Sequence, residues 1–281
     1  MALAMNRRAV LTAAGLALAP TAVLGRERTS LPAAPPTTVK KLAWAGIRLE
    51  LGNAALFIDA IAPDAEHGQP GPALATTKAR SFALVTHHHG DHCDPVALKP
   101  VLGESGYIVA EENVARLFDN RIDEVQPVRM YEPVFLSRGG GEFVAFAVPA
   151  SDGFGSPQVS WVIDDGTHRL IHCGDTQWHG GFYDIGRAYG PFDLAFLPII
   201  GHRQHGGRYT DTPEPMSLTP ERAIEAAQIL GAKAVVPIHF GSSGNANYVE
   251  EPNALPRFAA AAVRAGIAAR PLAPGDMLSL A

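Results

Sequence analysis

The amino-acid sequence predicts a mixed α/β sandwich in a single domain. From Lys41 onward, short apolar runs alternate with Gly, Asn and Asp, a pattern typical of strands joined by turns. Predicted helices fall between the later runs, and no internal repeat or change in composition follows residue 40. The 281 residues are 47% hydrophobic and 18% charged. This chain can therefore bury the core of one large domain or two small ones, and the absence of a break favours one.

Charge and cysteine content exclude two classes of protein. Lys and Arg number 23 against 28 Asp and Glu, giving a formal charge of -5, and no long basic run is present. A nucleic-acid partner is therefore not expected, and a small-molecule partner is. Two cysteines cannot make a disulfide scaffold, although one disulfide between Cys93 and Cys173 is conceivable from the sequence.

The N-terminus has the layout of an export signal. Arg7 and Arg8 precede an uncharged stretch from Ala9 to Gly25, as in a secretory signal peptide. The paired arginines resemble a twin-arginine (Tat) signal, which directs folded bacterial proteins across a membrane. We predict a signal peptide over 1–25, a flexible leader over 26–39 and the folded domain over 40–281. The protein is then periplasmic or secreted without an integral membrane span after cleavage; an uncleaved helical anchor is the alternative.

Nine apolar runs predict the strands. Gly52-Asn53 between the first two runs predicts a tight hairpin. The runs are Ile47–Leu51, Ala54–Ile58, Phe82–Val85, Tyr107–Ala110, Phe143–Val148, Val159–Ile163, Leu170–His172, Leu194–Leu197 and Ala234–Ile238.

The clearest predicted helix begins after Thr219 and ends at Gly231. Thr219 is a good N-cap, Pro220 suits the first helical position, and Glu221 lies in the positive first turn. Asn113–Phe118 and Pro256–Ala265 are further helix predictions. Helices are thus fewer than strands.

A histidine-rich segment, Thr86–Asp94, follows the apolar run Phe82–Val85, where a buried strand meets a loop. Four histidines and two carboxylates within eight residues favour a bound cation, and this mixture of groups suits Zn²⁺ or a neighbouring transition metal. His87 and His89 lie two positions apart, so their side chains can face the same way and reach one ion. The following turn can direct Asp91 and His92 at a second ion. The alternative is a surface histidine tract that binds metal adventitiously.

The segment His87-x-His89-x-Asp91-His92 resembles the HxHxDH motif of the metallo-β-lactamase superfamily. Gly174-Asp175-Thr176 resembles the family's GD(T) element, and Pro237-Ile238-His239 resembles its late strand-end histidine. The resemblance extends over most of residues 40–240. It implies a four-layer αββα sandwich and a metal-dependent hydrolase.

Finer features resemble one branch of that superfamily. The hairpin ending Phe57-Ile58-Asp59, the run Leu197-Pro198-Ile199 and the helix from Pro220 are similar to those of the ascorbate-phosphate lactonase and N-acyl-phosphatidylethanolamine phospholipase D relatives. However, Ser217 stands where relatives of the phospholipase-like branch often have histidine. This difference argues against a straight transfer of phospholipase specificity.

The resemblance also implies a set of metal ligands. It assigns His87 and His89 to metal site 1 and Asp175 to the bridge. The second site consists of Asp91, His92 and His239. The family's third site-1 histidine is absent, and Asp152 stands near its place. Three explanations are open: Asp152 replaces the missing histidine as a ligand, His179 replaces it, or site 1 is weak and the protein works with one metal. We expect Asp152 to be the ligand.

The substitution at Asp152 has an electrostatic consequence. Two divalent ions carry four positive charges, which Asp91, Asp175, Asp152 and a bridging hydroxide would balance. A nearly neutral centre attracts anions less, so we expect an uncharged ester, lactone or amide as substrate. The additional carboxylate also favours Mn²⁺ or Fe²⁺ relative to Zn²⁺.

The expected chemistry is hydrolysis by a metal-activated water. Two divalent ions, Zn or alternatively Mn or Fe, lower the pKa of the shared water, and the resulting hydroxide attacks a carbonyl or phosphorus atom. Asp91 is the candidate for orienting the nucleophile or passing a proton, and His202 for stabilising the oxyanion. We predict ester or lactone hydrolysis; phosphodiester hydrolysis, or a metal-binding protein that has lost catalysis, are the alternatives.

Overall fold

The computed structural model describes residues 36–63, 71–118, 125–137, 142–204, 211–241 and 248–280. The predicted signal peptide and the leader up to residue 35 lie outside this range. The first strand begins at Thr38, so regular structure starts two residues before the predicted boundary at residue 40. None of the described helices combines the length and apolarity that crossing a bilayer requires.

Sixteen strands and five α-helices form within the described residues. The strands are β1 (Thr38–Lys41), β2 (Ile47–Leu51), β3 (Ala54–Ile58), β4 (Arg80–Leu84), β5 (Ile108–Glu111), β6 (Val125–Val128), β7 (Pro133–Ser137), β8 (Glu142–Pro149), β9 (Val159–Asp164), β10 (Arg169–His172), β11 (Leu194–Pro198), β12 (Arg203–Gln204), β13 (Ala234–Ile238), β14 (Tyr248–Val249), β15 (Ala268–Ala269) and β16 (Met277–Ser279). The helices are α1 (Pro95–Leu102), α2 (Glu112–Ala115), α3 (Gly181–Tyr189), α4 (Pro220–Leu230) and α5 (Ala254–Ala265).

Two seven-stranded sheets account for most of these strands in the described part of the chain. The first has the order β16-β1-β2-β3-β4-β5-β6, and the second has the order β15-β13-β11-β10-β9-β8-β7. Strands β3 to β6 run parallel, as do β10, β11, β13 and β15. Strand β8 is antiparallel to β9, which is antiparallel to β10, so β8 and β10 point the same way.

Three hydrophobic clusters show the layers. The inner faces of both sheets share one core, which contains Leu56 and Leu84 from the first sheet and Trp161 and Phe196 from the second. A second cluster joins the outer face of the second sheet to α3, α4 and α5, and a third joins the outer face of the first sheet to α1 and α2. The predicted four-layer αββα sandwich is confirmed.

The elements with strong local signals lie where the sequence predicts them. Three of the nine predicted strands are confirmed to the residue, and the other six agree within two residues at each end. Leu51 pairs with Ala54, so Gly52-Asn53 makes the expected two-residue hairpin. Thr219 caps α4 by accepting a hydrogen bond from the backbone N–H of Arg222 at 3.3 Å.

Two helices and several edge strands were not predicted. Helix α1 has Pro95 at its start and Pro100 inside it, and α3 carries glycines at both 181 and 186, so both contain residues that disfavour a helix. The predicted helix Asn113–Phe118 is a short α-helix followed by a 3₁₀ turn over Arg116–Phe118. Intrinsic propensity is weak in these segments, and packing on the sheets determines their conformation.

The two cysteines do not form the disulfide that the sequence left open. Cys93 and Cys173 are both free and buried. Cys93 belongs to the cluster under α1 and α2, whereas Cys173 belongs to the cluster under α3, α4 and α5. Burial raises the pKa of Cys173 to about 12, which keeps it protonated and unreactive.

Candidate metal centre

Polar side chains gather where four strands end. His87 follows β4, Asp152 follows β8, Asp175 follows β10 and His239 follows β13. Strands β8, β10 and β13 share one direction, so their carboxyl ends meet at the same edge of the second sheet. The loop after β4 reaches this edge from the first sheet. The fold therefore brings together residues that lie up to 152 positions apart in the sequence.

All seven sequence-predicted metal ligands fall into three overlapping groups. Within each group, one ligand atom per residue lies within 4.8 Å of every other. The groups are His87, His89, Asp152 and Asp175; His87, Asp91 and His92; and His92, Asp175 and His239. The first group matches the predicted site 1 together with the bridging Asp175, and the third contains His92 and His239 of the predicted site 2 together with Asp175. These groups could hold metal ions.

The chemistry of the donor atoms fits a divalent cation. Four buried atoms of the cluster have no hydrogen-bond partner among the described residues: His87 Nε2, His92 Nε2, Asp152 Oδ1 and Asp175 Oδ1. Buried polar atoms without partners are costly, because water no longer satisfies them. A cation bound by imidazole nitrogens and carboxylate oxygens would satisfy all four.

The cluster reaches solvent on one side only. The side chains of His87, His92 and His239 are completely buried, whereas those of His89 and Asp91 are 26% and 15% exposed. A substrate can therefore approach past His89 and Asp91.

Asp59, which follows β3, fixes the orientation of His92. Its Oδ2 lies 2.8 Å from His92 Nδ1 and accepts a hydrogen bond from the Thr86 hydroxyl at 2.7 Å. Its Oδ1 accepts the backbone N–H of Thr86 at 2.8 Å. With Nδ1 occupied by Asp59, His92 directs Nε2 at the cluster, the arrangement that commonly orients metal-binding histidines.

Trp44 contacts two members of the predicted second site, Asp91 and His239. Its Nε1–H donates to Asp91 Oδ2 at 3.1 Å, and its ring centroid lies 4.3 Å from that of His239. The same Asp91 oxygen lies 3.4 Å from His239 Nε2 and 3.6 Å from His92 Nε2. Trp44 therefore restrains the carboxylate of Asp91 beside the two imidazoles.

Backbone strain concentrates at this edge. Among the non-glycine residues described, five have a positive φ, and three of these are Trp44, Asp59 and His239, at 53°, 45° and 53°. Side chains disfavour the left-handed region, so the surrounding contacts must hold these residues there. The fold thus keeps strained conformations at the candidate centre.

Asp152 divides its two carboxylate oxygens between two tasks. Oδ2 accepts the backbone N–H groups of Phe154 and Ser156 at 2.9 and 2.7 Å. Oδ1 lies 3.9 Å from His89 Nδ1 and belongs to the first group. His179, the alternative to Asp152, belongs to none of the three groups in the described chain. Its ring instead stacks on Phe182, with centroids 4.1 Å apart.

Burial and charge shift the pKa values within the metal-free cluster. Burial disfavours a charged His92, but the carboxylates of Asp91 and Asp59 outweigh this effect and raise its pKa to about 10. Burial raises the pKa of Asp175 to about 7, and the nearby Asp152 and Asp91 add to the rise. Burial and the positive charge of His92 lower the pKa of His87 well below its ordinary value. In the metal-free cluster His87 is therefore neutral, whereas His92 holds a proton that a bound cation would displace.

The predicted catalytic residue His202 lies outside the three groups defined within the described residues. It is 2% exposed, and its ring centroid is 6.5 Å from that of Phe154. Arg203, the next residue, is paired with Glu251 at 2.6 Å. Arg208 and Tyr209 of the same loop lie outside the described residues.

Sequence reasoning missed Asp59 and Trp44 as parts of the site. From the sequence, Asp59 was noted only as the last residue of a hairpin that resembles those of the family, and no role in the site was predicted for it. Its position gave a usable signal, because β3 lies beside β4 and a carboxylate at its end faces the histidine segment. No comparable signal marks Trp44, whose indole reaches Asp91 across 47 positions of sequence.

Comparison with known proteins identifies the family. Residues 53–240 match the β-lactamase superfamily domain, and this region carries the histidine motif, Asp175 and His239. The chain belongs to the metallo-β-lactamase superfamily. A UPF0173 metal-dependent hydrolase of Thermococcus kodakarensis is 30% identical over 213 residues, covering 73% of this chain and 84% of the relative. The prediction that the protein is a metal-dependent hydrolase is therefore confirmed.

Solved structures of the superfamily share the fold. Igni18, a metallo hydrolase of Ignicoccus hospitalis, has a TM-score of 0.65 at 18% identity, covering 87% of this chain and 98% of that protein. CmlA, a diiron β-hydroxylase of Streptomyces venezuelae, has a TM-score of 0.64 at 15% identity, covering 89% of this chain and 55% of CmlA. At these identities the likeness concerns the fold alone.

Proposed function

We propose that this superfamily member is a hydrolase of uncharged esters or lactones with two divalent metal ions. One observation carries the proposal: Asp152 directs an unpartnered carboxylate oxygen at His89, in the same group as His87 and Asp175. An aspartate in this place adds negative charge beside the imidazoles. With this negative charge the cluster can balance two divalent ions, and the nearly neutral centre that results favours an uncharged substrate.

The proposed ligands divide into two sets that share one carboxylate. His87, His89 and Asp152 would hold the first ion, and Asp91, His92 and His239 would hold the second. Asp175 would be the carboxylate that both sets share. Zn²⁺ suits the imidazoles, and the carboxylates also suit Mn²⁺ or Fe²⁺. CmlA, which shares the fold, is a diiron protein, so iron belongs among the metals to test.

The residues around the ions have distinct tasks. Divalent ions supply Lewis acidity and lower the pKa of water. Asp91, held by Trp44 and 15% exposed, orients the nucleophile and passes a proton to the leaving group. His202, buried beside the Phe154 ring, donates to the developing oxyanion. Asp59 keeps the His92 ring in place throughout.

Charge balance favours an uncharged substrate. Asp91, Asp152 and Asp175 together with one hydroxide balance two divalent ions. A neutral centre offers little attraction to a phosphate, and Arg203, a cation of the adjoining loop, is neutralised by Glu251. Phosphodiester hydrolysis is therefore the second candidate, and loss of catalysis the third.

The experiment compares substrate classes on two proteins. Purified wild type and Asp152→His are tested on chromogenic neutral esters, lactones and phosphodiesters, with metal content measured for each. We expect wild type to hydrolyse the neutral substrates, and Asp152→His to gain relative activity on phosphodiesters because its centre is more positive. An unchanged preference overturns the charge argument, and two bound metals without turnover on any class supports a non-catalytic protein.

We also propose that the protein is exported through its N-terminal segment. Arg7, Arg8 and the uncharged stretch from Ala9 to Gly25 support this proposal. Replacing Arg7 and Arg8 by lysine in the full chain should keep the protein in the cytoplasm of a Tat-competent bacterium. Unchanged periplasmic recovery contradicts a Tat route.

A further inference from the structure

Asp152 joins the candidate metal centre to a short turn, residues 152–156. Its Oδ2 accepts the backbone N–H groups of Phe154 and Ser156, and its own carbonyl accepts the N–H of Gly155 at 3.1 Å. Gly155 has a φ of +80°, which this reversal requires. Three of the turn's hydrogen bonds thus depend on Asp152 alone.

Two contacts fix the turn on either side. A Cβ on Gly153 would come within 2.5 Å of the Met216 carbonyl, so glycine allows the turn to pack directly on that segment. The N–H of Met216 donates to the His202 carbonyl at 2.8 Å. On the other side, the Ser156 hydroxyl lies 3.4 Å from His89 Nε2. The turn therefore lies between His202 and His89.

The turn presents Phe154 at the open side of the centre. This side chain is 39% exposed, and its ring centroid lies 6.0 Å from that of His89 and 6.5 Å from that of His202. An exposed aromatic ring at this position offers a ligand of the centre a large apolar contact area. Here the aromatic ring adjoins a candidate ligand, His89, and a candidate oxyanion donor, His202.

We propose that Phe154 is the specificity-determining residue of this site and selects substrates with an extended apolar group next to the scissile bond. We further assign Asp152 as its positioning residue, which couples metal binding to the conformation of the turn. An ion held by Oδ1 fixes the carboxylate, and Oδ2 then holds the N–H groups of Phe154 and Ser156. The substrate preference rests on the proposed function, whereas the coupling rests on the geometry of Asp152.

The coupling is tested by amide hydrogen exchange over residues 152–156 in the full chain, with Zn²⁺ and after chelation. In the wild type we expect Zn²⁺ to slow exchange of the Phe154 and Ser156 amides at least about tenfold. Asp152→His retains a metal ligand but loses the carboxylate acceptor, so exchange there should stay fast even with Zn²⁺ bound. Equal protection in Asp152→His and wild type overturns the coupling.

A second variant separates the turn from the metal. Asp152→Asn keeps an oxygen that can accept the two N–H groups but lacks the negative charge that binds a cation. We expect its turn to be protected to the same degree with and without Zn²⁺. A response to Zn²⁺ as large as that of wild type shows that the metal acts on the turn by another route and overturns the proposal.

Specificity is tested by calorimetric binding of two uncharged probes, octanamide and acetamide, to the Zn²⁺-loaded protein. Burial of the longer chain against Phe154 should make octanamide bind about tenfold more tightly than acetamide. Phe154→Ala should abolish the difference, while the matched variant Phe135→Ala, at a 61% exposed phenylalanine on β7, should retain it. Equal discrimination by Phe154→Ala and wild type overturns the assignment.

Hydrolysis of acetyl and octanoyl esters distinguishes failure of this proposal from failure of the proposed function. If esters are hydrolysed with the same chain-length preference in wild type and Phe154→Ala, the specificity assignment fails and the function stands. If octanamide binding depends on Phe154 and no ester is hydrolysed, the recognition site stands and the proposed function fails.

Discussion

The carboxylate of Asp59 and the ring of His92 form a fully buried pair, with 2.8 Å between Oδ2 and Nδ1. Burial alone would raise the pKa of Asp59, but His92 and His172 lower it below its ordinary value. Asp59 is therefore ionised, and it directs His92 Nε2 toward Asp91 and Asp175. The segments that follow β3 and β4 in the first sheet thus together determine the orientation of the His92 imidazole.

Replacing Asp59 by asparagine should weaken metal binding. The variant keeps the size of the side chain but loses the charge that orients His92, and such partners typically contribute about 10- to 100-fold in metal affinity. Competition with a chromophoric chelator measures the affinity. Asp165→Asn is the control, because Asp165 caps a surface turn before β10, at the far end of that strand. Equal affinity in the two variants would contradict the role of Asp59.

Replacing Trp44 by phenylalanine should reduce turnover more than metal content. Phenylalanine retains an aromatic ring next to His239 but cannot donate to Asp91, and hydrogen bonds to charged groups contribute about 1.5–3 kcal/mol. We expect kcat to fall about tenfold or more while both metals are retained. Steady-state kinetics and elemental analysis of the same preparation test this. A variant with unchanged kcat shows that Asp91 needs no support from Trp44.

Substitution of Gly174 by alanine should disturb the bridging position. Gly174 has a φ of +59°, and a Cβ there would come within 2.7 Å of the Thr86 hydroxyl. The strain falls on the residue before Asp175, so both stability and metal affinity should drop. Gly166→Ala separates the two effects, since Gly166 also has a positive φ, +85°, but faces open space. It should lose about 1 kcal/mol of stability with metal affinity intact.

Lys41 should make a contribution to stability that rises with pH. Its buried ammonium donates to the carbonyls of Leu42, Trp44 and Gly46, and burial lowers its pKa from 10.5 to about 7. Between these values Lys41 holds a proton in the unfolded chain that it lacks in the folded chain. The contribution of Lys41 to the free energy of unfolding therefore increases across this window, by at most about 1.4 kcal/mol per pH unit, whereas His92, whose pKa is raised to about 10 in the metal-free protein, contributes in the opposite direction.

Urea denaturation at several pH values from 7 to 10 tests the Lys41 prediction. The contribution of Lys41 to the slope of unfolding free energy against pH should vanish in Lys41→Met. Lys40→Met, at the neighbouring position of β1, should keep the wild-type slope. Identical slopes in all three proteins would rule out titration of Lys41.

Local sequence signals predicted the strands near the site because those strands are buried on both faces and read as continuous apolar runs. Leu194–Pro198 and Ala234–Ile238 are examples. The edge strand β7 alternates exposed and buried residues over five positions, β16 has three residues of which none is buried, and β15 has just two residues, so these strands carry little signal. These segments become strands because they pair with neighbouring strands, and the sequence does not reveal that pairing.

The candidate ligands were predictable because their residue types are informative on their own. His87, His89, Asp91 and His92 are adjacent in sequence, and Asp175 follows a recognisable strand. By contrast, the division of tasks within Asp152 depends on backbone N–H groups, and the support from Trp44 depends on a left-handed backbone at residue 44. Such features arise from tertiary geometry.

We expect two cations to lie between the ends of β4, β8, β10 and β13. Anomalous diffraction from crystals of the purified protein, collected above and below the absorption edges of zinc, iron and manganese, locates such ions. We expect two peaks, one next to His89 and Asp152 and one next to His92 and His239, with Asp175 between them. A single peak that contacts neither Asp152 nor His89, or no peak in protein that hydrolyses esters, would contradict this expectation.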